Sequence, residues 1–188
     1  LAVYPPNGRV RLAAPQGVND VTLRLFTISK LPWIRKQQRR FASQERQPER
    51  KYVQRESHYF LGKRYLLRIV ETDKPAKVIV KSKTYIELHV KPGSSKEQRQ
   101  HQLNEWYRAE LKKLIPDIIT QWERRISVQV EDWGVKQMKT KWGTCNIQKK
   151  RILVNLELAK KPLYCLEYII VHELVHLLER HHNERFVS

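Results

Sequence analysis

The first 26 residues alternate between apolar and polar positions. The apolar residues recur two apart, at Val10, Leu12, Val21, Leu23 and Leu25. A period of two predicts short antiparallel β-strands, with Pro-Pro-Asn-Gly and Pro-Gln-Gly as the turns. Ser29 is then a candidate N-cap for a helix over residues 31–44.

Residues 58–93 return to the strand pattern. Tyr59–Leu61 and Tyr65–Val70 flank a Gly62-Lys63 turn, which predicts a β-hairpin. Two more strands are predicted at 76–80 and 85–90, before Pro92-Gly93 ends the pattern. We therefore expect residues 1–93 to form a β-rich N-terminal part that also contains the basic helix near 31–44.

Residues 94–188 begin with a helical period. Ser94 and Glu97 have the spacing of a capping box, and a long amphipathic helix follows. Pro116 is expected to kink or split this helix. Strands are then predicted at 127–130, 135–138 and 151–156, with a turn at 142–146, and Pro162 opens a last helix. The whole pattern predicts an α+β fold.

A chain of 188 residues is long enough to form a folded domain with a hydrophobic core. Its positive net charge suits an anionic partner such as nucleic acid. No apolar run approaches the roughly 20 residues of a membrane span, and two cysteines make no disulfide framework, so we expect a reducing, cytoplasmic setting. We also expect the chain to continue beyond Ser188.

The net charge of +18 includes four cations on the predicted helix. They form either a solvated helix face or a contact for nucleic-acid phosphates.

The last helix carries the candidate chemistry, a His-Glu-x-x-His segment from His172 to His176. This spacing places two imidazoles one helical turn apart on the same face, where they can bind one Zn²⁺. Glu173 lies beside them and can take a proton from a metal-bound water. His182 can supply a third nitrogen, which leaves a fourth position for water. The alternative is an ordinary amphipathic helix whose histidines make only hydrogen bonds.

Four segments of the C-terminal half resemble the YgjP-like metallopeptidases, which are zincin-like proteins related to the SprT-type proteases. These segments are Lys139–Cys145, Ile152–Pro162, Tyr168–His176 and the group His182, Asn183 and Phe186. The resemblance is strong over residues 94–188, and the predicted hairpin is similar to that family's N-terminal part. Thr144 stands where the family commonly has Ser, and Lys141 where Arg is common.

The resemblance implies a zincin-like core at residues 94–188, with a histidine-bearing helix packed on a small sheet. It implies that His172, His176 and His182 are the zinc ligands, with His182 preferred to His181, and that Glu173 is the general base. The implied activity is hydrolysis of peptide bonds in a protein or peptide substrate through a metal-activated water. Two alternatives stay open: a protease acting on DNA-associated proteins, and a non-cleaving, zinc-containing binding module.

Overall fold

The chain divides into two compact units, residues 1–49 and residues 50–188. The computed structural model describes residues 1–5, 7–43, 49–180 and 183. Helices and sheets are both present, which confirms the α+β class. Within the described residues, no helix combines the length and the apolar character that a membrane crossing requires.

The first unit contains two strands and two helices. Strands β1 (Ala2–Tyr4) and β2 (Arg9–Arg11) pair in antiparallel register, as the alternating pattern predicts. Helices α1 (Asp20–Ser29) and α2 (Leu31–Ser43) follow. Helix α2 confirms the predicted helix over all of that range except residue 44, which lies outside the described residues.

The predicted strand over Val21–Leu25 is wrong, because this segment belongs to α1. The side-chain oxygen of Asn19 accepts a hydrogen bond from the backbone N–H of Val21 at 2.8 Å, so Asn19 caps a helix there. The predicted N-cap role of Ser29 is also wrong. Ser29 is the last residue of α1, and its hydroxyl donates to the carbonyl of Phe26.

A four-stranded sheet opens the second unit. Its strands are β3 (Ser57–Phe60), β4 (Lys63–Glu71), β5 (Lys77–Val80) and β6 (Tyr85–Val90), in the order β3-β4-β6-β5. The predicted hairpin is confirmed, since Phe60 pairs with Lys63 across Leu61 and Gly62, which both have positive φ. Strands β4 and β6 are parallel neighbours.

Helix α3 (Lys96–Ile126) is the longest element of the second unit. Its capping box is formed by Ser95 and Gln98, one position after the predicted pair of Ser94 and Glu97. The helix runs through Pro116 without a break, so the predicted split is wrong. Its buried positions lie four apart for most of its length: Leu103, Tyr107, Leu111, Ile115 and Ile119.

A three-stranded sheet follows, with the order β7-β9-β8. Its strands are β7 (Asp132–Lys136), β8 (Gly143–Asn146) and β9 (Arg151–Asn155). The strand predicted at 127–130 is wrong, because Ser127 is the left-handed C-cap of α3. The turn predicted at 142–146 is also wrong, because residues 143–146 pair with β9 as a strand.

Helix α4 (Leu163–Val175) follows a short 3-10 helix, Leu156–Lys160. Pro162 stands immediately before it, as predicted. The side chain of Trp122 on α3 donates to the carboxylate of Glu167 on α4 at 2.9 Å, and Arg108 on α3 donates to the carbonyl of Val135 on β7. These bonds fix both helices relative to the small sheet.

Candidate metal centre on helix α4

Helix α4 buries a face on which one position is a carboxylic acid. Its buried residues are Leu166, Ile170, Glu173 and Leu174, at the spacing of a single helical stripe. Glu173 is only 6% exposed, although it follows the half-buried His172 directly in the sequence. A buried carboxyl group is costly unless it is hydrogen-bonded, paired with an opposite charge or close to a metal ion.

Gly143 at the start of β8 provides the space for the Glu173 side chain. A Cβ atom at position 143 would lie 2.5 Å from Glu173 Oε1 and 2.7 Å from its Cγ. Real side chains do not approach so closely, so only glycine permits this contact. The carboxylate of Glu173 therefore lies directly against the backbone of β8.

Burial makes Glu173 a weaker acid than an exposed glutamate. Burial raises the pKa of Glu173 to about 7, and the positive charge of Lys141 opposes the rise. Burial also raises the pKa of the neighbouring Cys145 thiol, to about 11, and the negative charge of Glu173 adds to this rise. Cys145 is thus a protonated thiol near neutral pH and not a reactive thiolate.

His172 and His176 bring their imidazole rings together at the end of α4. The ring centroids are 4.9 Å apart and the ring planes are nearly perpendicular. Nδ1 of His176 lies 3.2 Å from the carbonyl oxygen of Glu179. A carbonyl only accepts, so Nδ1 carries the proton and Nε2 carries the lone pair of the neutral ring. This tautomer is the one that binds a metal through Nε2.

The pair of imidazoles and the adjacent carboxylate fit a zinc ion by their chemistry. Neutral ring nitrogens are preferred zinc ligands, and a backbone carbonyl that orients one ring is a typical partner of such a ligand. Among the described residues there is no group of three or more His, Cys, Asp or Glu side chains arranged to hold a metal. The predicted third ligand His182, and His181 beside it, lie outside those residues.

Asn155 at the end of β9 fixes the loop that leads into β8. Its side-chain NH₂ donates to the carbonyls of Met138 and Lys141, at 2.9 and 2.7 Å. Its side-chain oxygen accepts from the backbone N–H groups of Met138 and Glu157. One buried amide thus holds both ends of the segment from 138 to 141, immediately before Trp142 and Gly143.

Two aromatic residues extend the site beyond the predicted set. The ring of Tyr168, one turn before His172, lies 6.2 Å from the His172 ring. Trp142 precedes Gly143 and lines a groove together with Tyr168. The spacing in the sequence gives no reason to choose Tyr164 or Tyr168 as a site residue. The sequence carries a signal for Gly143, since a glycine inside a strand often marks a close approach of another group, but the residues around it predict a turn and not a strand.

Comparison with known proteins gives one family. The family model described as YgjP-like, metallopeptidase domain, matches residues 1–188. Neither the curated proteins nor the solved structures gave a match. Because the family model covers the chain from its first residue to its last, the protein belongs to the YgjP-like family of metallopeptidase domains, enzymes whose name implies a metal ion.

Proposed function

We propose that the chain is a zinc-dependent peptidase of the His-Glu-x-x-His type. In this proposal His172, His176 and His182 hold the zinc ion, and Glu173 is the general base. The observation that carries the proposal is Glu173, a buried carboxylate that lies against β8 and adjoins in sequence one of two neighbouring imidazoles. The packing of α4 beside β8 and β9 supports a zincin-like arrangement of helix and sheet.

The residues divide the chemistry of peptide hydrolysis between them. A zinc ion supplies Lewis acidity, which lowers the pKa of water by several units and polarises a carbonyl group. Glu173 takes one proton from the water that attacks the peptide carbon and delivers a proton to the departing amide nitrogen. The carbonyl of Glu179 holds the His176 ring in the orientation and tautomer that binding requires.

Strand β8 is the proposed alignment edge for an extended peptide. It lies at one end of the small sheet, and within the described residues it pairs only with β9. A peptide added beside it would pass the Glu173 carboxylate at Gly143. We choose β8 rather than the other edge strand, β7, because Glu173 lies against β8.

Metal analysis of purified variants tests the proposal. We expect Glu173→Gln to keep one zinc per chain and to lose cleavage of an unfolded protein, because the ligands remain and the base does not. We expect His176→Ala to lose both. His101→Ala, an exposed histidine on α3, is the control and should keep both. Zinc retained without His176 would rule out the ligand assignment, and zinc without any cleavage by the unaltered chain would favour the non-cleaving module.

The third ligand needs its own pair of variants, since His181 and His182 are neighbours. We expect His182→Ala to lower zinc affinity by a factor of ten or more, and His181→Ala to leave it close to that of the unaltered protein. Competition with a colorimetric chelator measures both affinities without any substrate. The reverse order of the two variants would move the ligand role to His181.

The exposed cations of α2 support one variation on this function, in which the substrates are DNA-associated proteins. These cations are Arg35, Lys36, Arg39 and Arg40, and all four are exposed. Phosphate contacts release counterions, so binding would weaken steeply with salt. We expect a charge-reversal variant of these four residues to lose DNA binding while keeping cleavage of an unfolded protein. If DNA does not change the cleavage rate and salt does not weaken DNA binding, α2 is a solvated helix with no role in DNA contact.

A further inference from the structure

An open groove of about 570 Å³ lies beside the histidines on the N-terminal side of α4. Its lining is largely apolar and aromatic: Trp142, Leu158, Lys161, Tyr164, Cys165, Tyr168 and Ile169. The aromatic side chains are unusually open for their size, with Tyr164 70%, Tyr168 67% and Trp142 46% exposed. Exposed aromatic rings grouped around one depression are typical of a binding surface, because elsewhere such rings are buried.

The groove is continuous with the candidate metal centre. Tyr164, Tyr168 and His172 are spaced four apart and lie along one ridge of α4. At its other wall, Trp142 is joined directly to Gly143, the residue against which Glu173 packs. An extended peptide on β8 would therefore place the side chain of a residue near its reacting bond over this groove.

Lys161 gives the groove a charge. Its ammonium group lies 5.8 Å from the centre of the Trp142 ring, a cation–π distance, and Lys161 is the one charged residue of the lining set. Lys141, in the loop immediately before Trp142 and β8, adds positive charge near Glu173. An acidic residue next to the bound apolar side chain would be attracted to both, whereas a basic one would be repelled.

We infer that this groove, defined by Trp142, Tyr164, Tyr168 and Lys161, is the subsite that selects the substrate. It takes an unfolded polypeptide segment in which a large apolar or aromatic side chain has an acidic neighbour. The inference rests on the proposed peptidase function and adds its substrate class. Burial of a large side chain supplies the affinity, and Lys161 supplies the preference among flanking charges.

The experiment measures peptide binding separately from cleavage. The probes are three fluorescein-labelled peptides with a common Gly-Ser backbone and a central Phe-Asp, Ala-Asp or Phe-Lys pair, titrated with the Glu173→Gln protein at low salt. We expect the Phe-Asp peptide to bind about tenfold more tightly than Ala-Asp, because a buried phenylalanine ring adds that order of affinity. We expect Phe-Lys to bind several-fold more weakly than Phe-Asp.

Variants in the same background locate the binding surface. Tyr164→Ala and Tyr168→Ala should each weaken Phe-Asp binding about fivefold, and Lys161→Ala should reduce the difference between Phe-Asp and Phe-Lys. Both tyrosines are largely exposed, so their removal spares the fold. Leu163→Ala is the matched control, since Leu163 is 44% exposed in the same turn of α4 but does not line the groove. Equal binding of Phe-Asp and Ala-Asp, or tyrosine variants indistinguishable from Leu163→Ala, would overturn the inference.

Cleavage of the same peptides by the zinc-loaded, unaltered chain tests this inference separately from the proposed peptidase function. Peptides that bind through the tyrosines and are never cleaved would overturn the peptidase while leaving the groove as a binding site. Peptides that are cleaved at the same rate whether they contain Phe or Ala would overturn the subsite while leaving the peptidase. Tyrosine-dependent binding together with faster cleavage of the Phe-Asp peptide would support both.

Discussion

Glu173 stands where a helix of this kind ordinarily has an apolar residue. It shares the buried stripe of α4 with Leu166, Ile170 and Leu174. The carboxylate fits because Gly143 leaves the space that a side chain would fill. The position of Glu173 therefore depends on a residue 30 positions away that has no side chain of its own.

Substitution of Gly143 tests this dependence. The Cβ atom of Gly143→Ala would meet the carboxylate oxygen of Glu173 at 2.5 Å, so the carboxylate or β8 must move. We expect peptidase activity to fall at least tenfold, zinc content to stay unchanged, and the free energy of unfolding to drop by about 1–3 kcal/mol. Metal analysis, cleavage of an unfolded protein and urea titration measure the three quantities.

Gly134→Ala in β7 of the same sheet is the matched control. Its added Cβ would lie 3.1 Å from a methyl carbon of Leu153, which can turn aside. We expect a change of less than about 1 kcal/mol and full activity. If the two alanine variants have the same activity and stability, the close contact between Gly143 and Glu173 is not needed for activity.

The residues of the candidate site differ in how far sequence could identify them. The spacing of His172, Glu173 and His176 follows from helical geometry alone, so the motif predicted their proximity and the structure brings the two rings together. The contact of Gly143 with Glu173 joins a strand to a helix, and no local pattern encodes it. The assignment of His182 stays a prediction, since that residue lies outside the described part of the chain.

At the scale of elements, Asn155 connects β9 to the loop that enters β8. Its amide donates to the carbonyls of Met138 and Lys141 and accepts from two backbone N–H groups. The side chain is 4% exposed, so water cannot take over these bonds. These bonds hold the loop that leads directly into Trp142 and Gly143.

We expect Asn155→Asp to loosen that loop. An aspartate keeps the acceptor oxygen but cannot donate to the two carbonyls, and its charge would face them in a buried position. The free energy of unfolding should fall by about 2–4 kcal/mol, and amide exchange over residues 138–142 should become faster. Hydrogen exchange and urea titration measure the two effects.

Asn146→Asp at the end of β8 is the control for the Asn155 substitution. The Asn146 side chain is exposed, and its oxygen accepts from the backbone N–H of Lys149 at 3.0 Å, a role that aspartate can fill. We expect its stability to stay within about 0.5 kcal/mol of the unaltered protein. A similar loss in both variants would mean that the donor bonds of Asn155 do not hold the loop.

The errors in the predicted elements share a physical cause. Val21–Leu25 alternate as a strand would, but the cap at Asn19 starts a helix in the same place. Residues 143–146 contain the Gly and Asn of a turn, yet they form β8 because β9 provides a partner strand. In both cases a hydrogen-bonding partner outside the local pattern decided the outcome. The long, strongly periodic helix α3 was predictable because its own stripe determines it.

At the scale of the whole chain, sequence predicted the fold class but not the order of the strands. Both sheets of the second unit contain a parallel pair, β4 with β6 and β7 with β9. Parallel pairing needs a connection that crosses over, and nothing in the alternation of single strands specifies it. The boundary predicted between residues 93 and 94 stays a prediction, while the structure divides the chain into compact units between residues 49 and 50.

The stability of the second unit should depend on pH through one buried histidine. His58 on β3 is 1% exposed, and its Nε2 atom lies 2.9 Å from the carboxylate of Glu56. Burial lowers the pKa of His58 to about 4; Glu56 raises it, and the charges of Arg50 and Lys160 add to the lowering. An unfolded histidine has a pKa of about 6.5. Between these values the unfolded chain binds a proton that the folded chain excludes.

The contribution of His58 is therefore complete above about pH 6.5 and is lost as the pH falls toward 4. Between pH 7.5 and 4.5 we expect the unaltered chain to lose about 2–3 kcal/mol more of its free energy of unfolding than His58→Gln. Glutamine can still donate to Glu56 but cannot bind the proton. Urea titration followed by tryptophan fluorescence measures the difference, and four of the five tryptophans lie in this unit. Parallel pH profiles of the two proteins would show that His58 titrates normally in the folded chain.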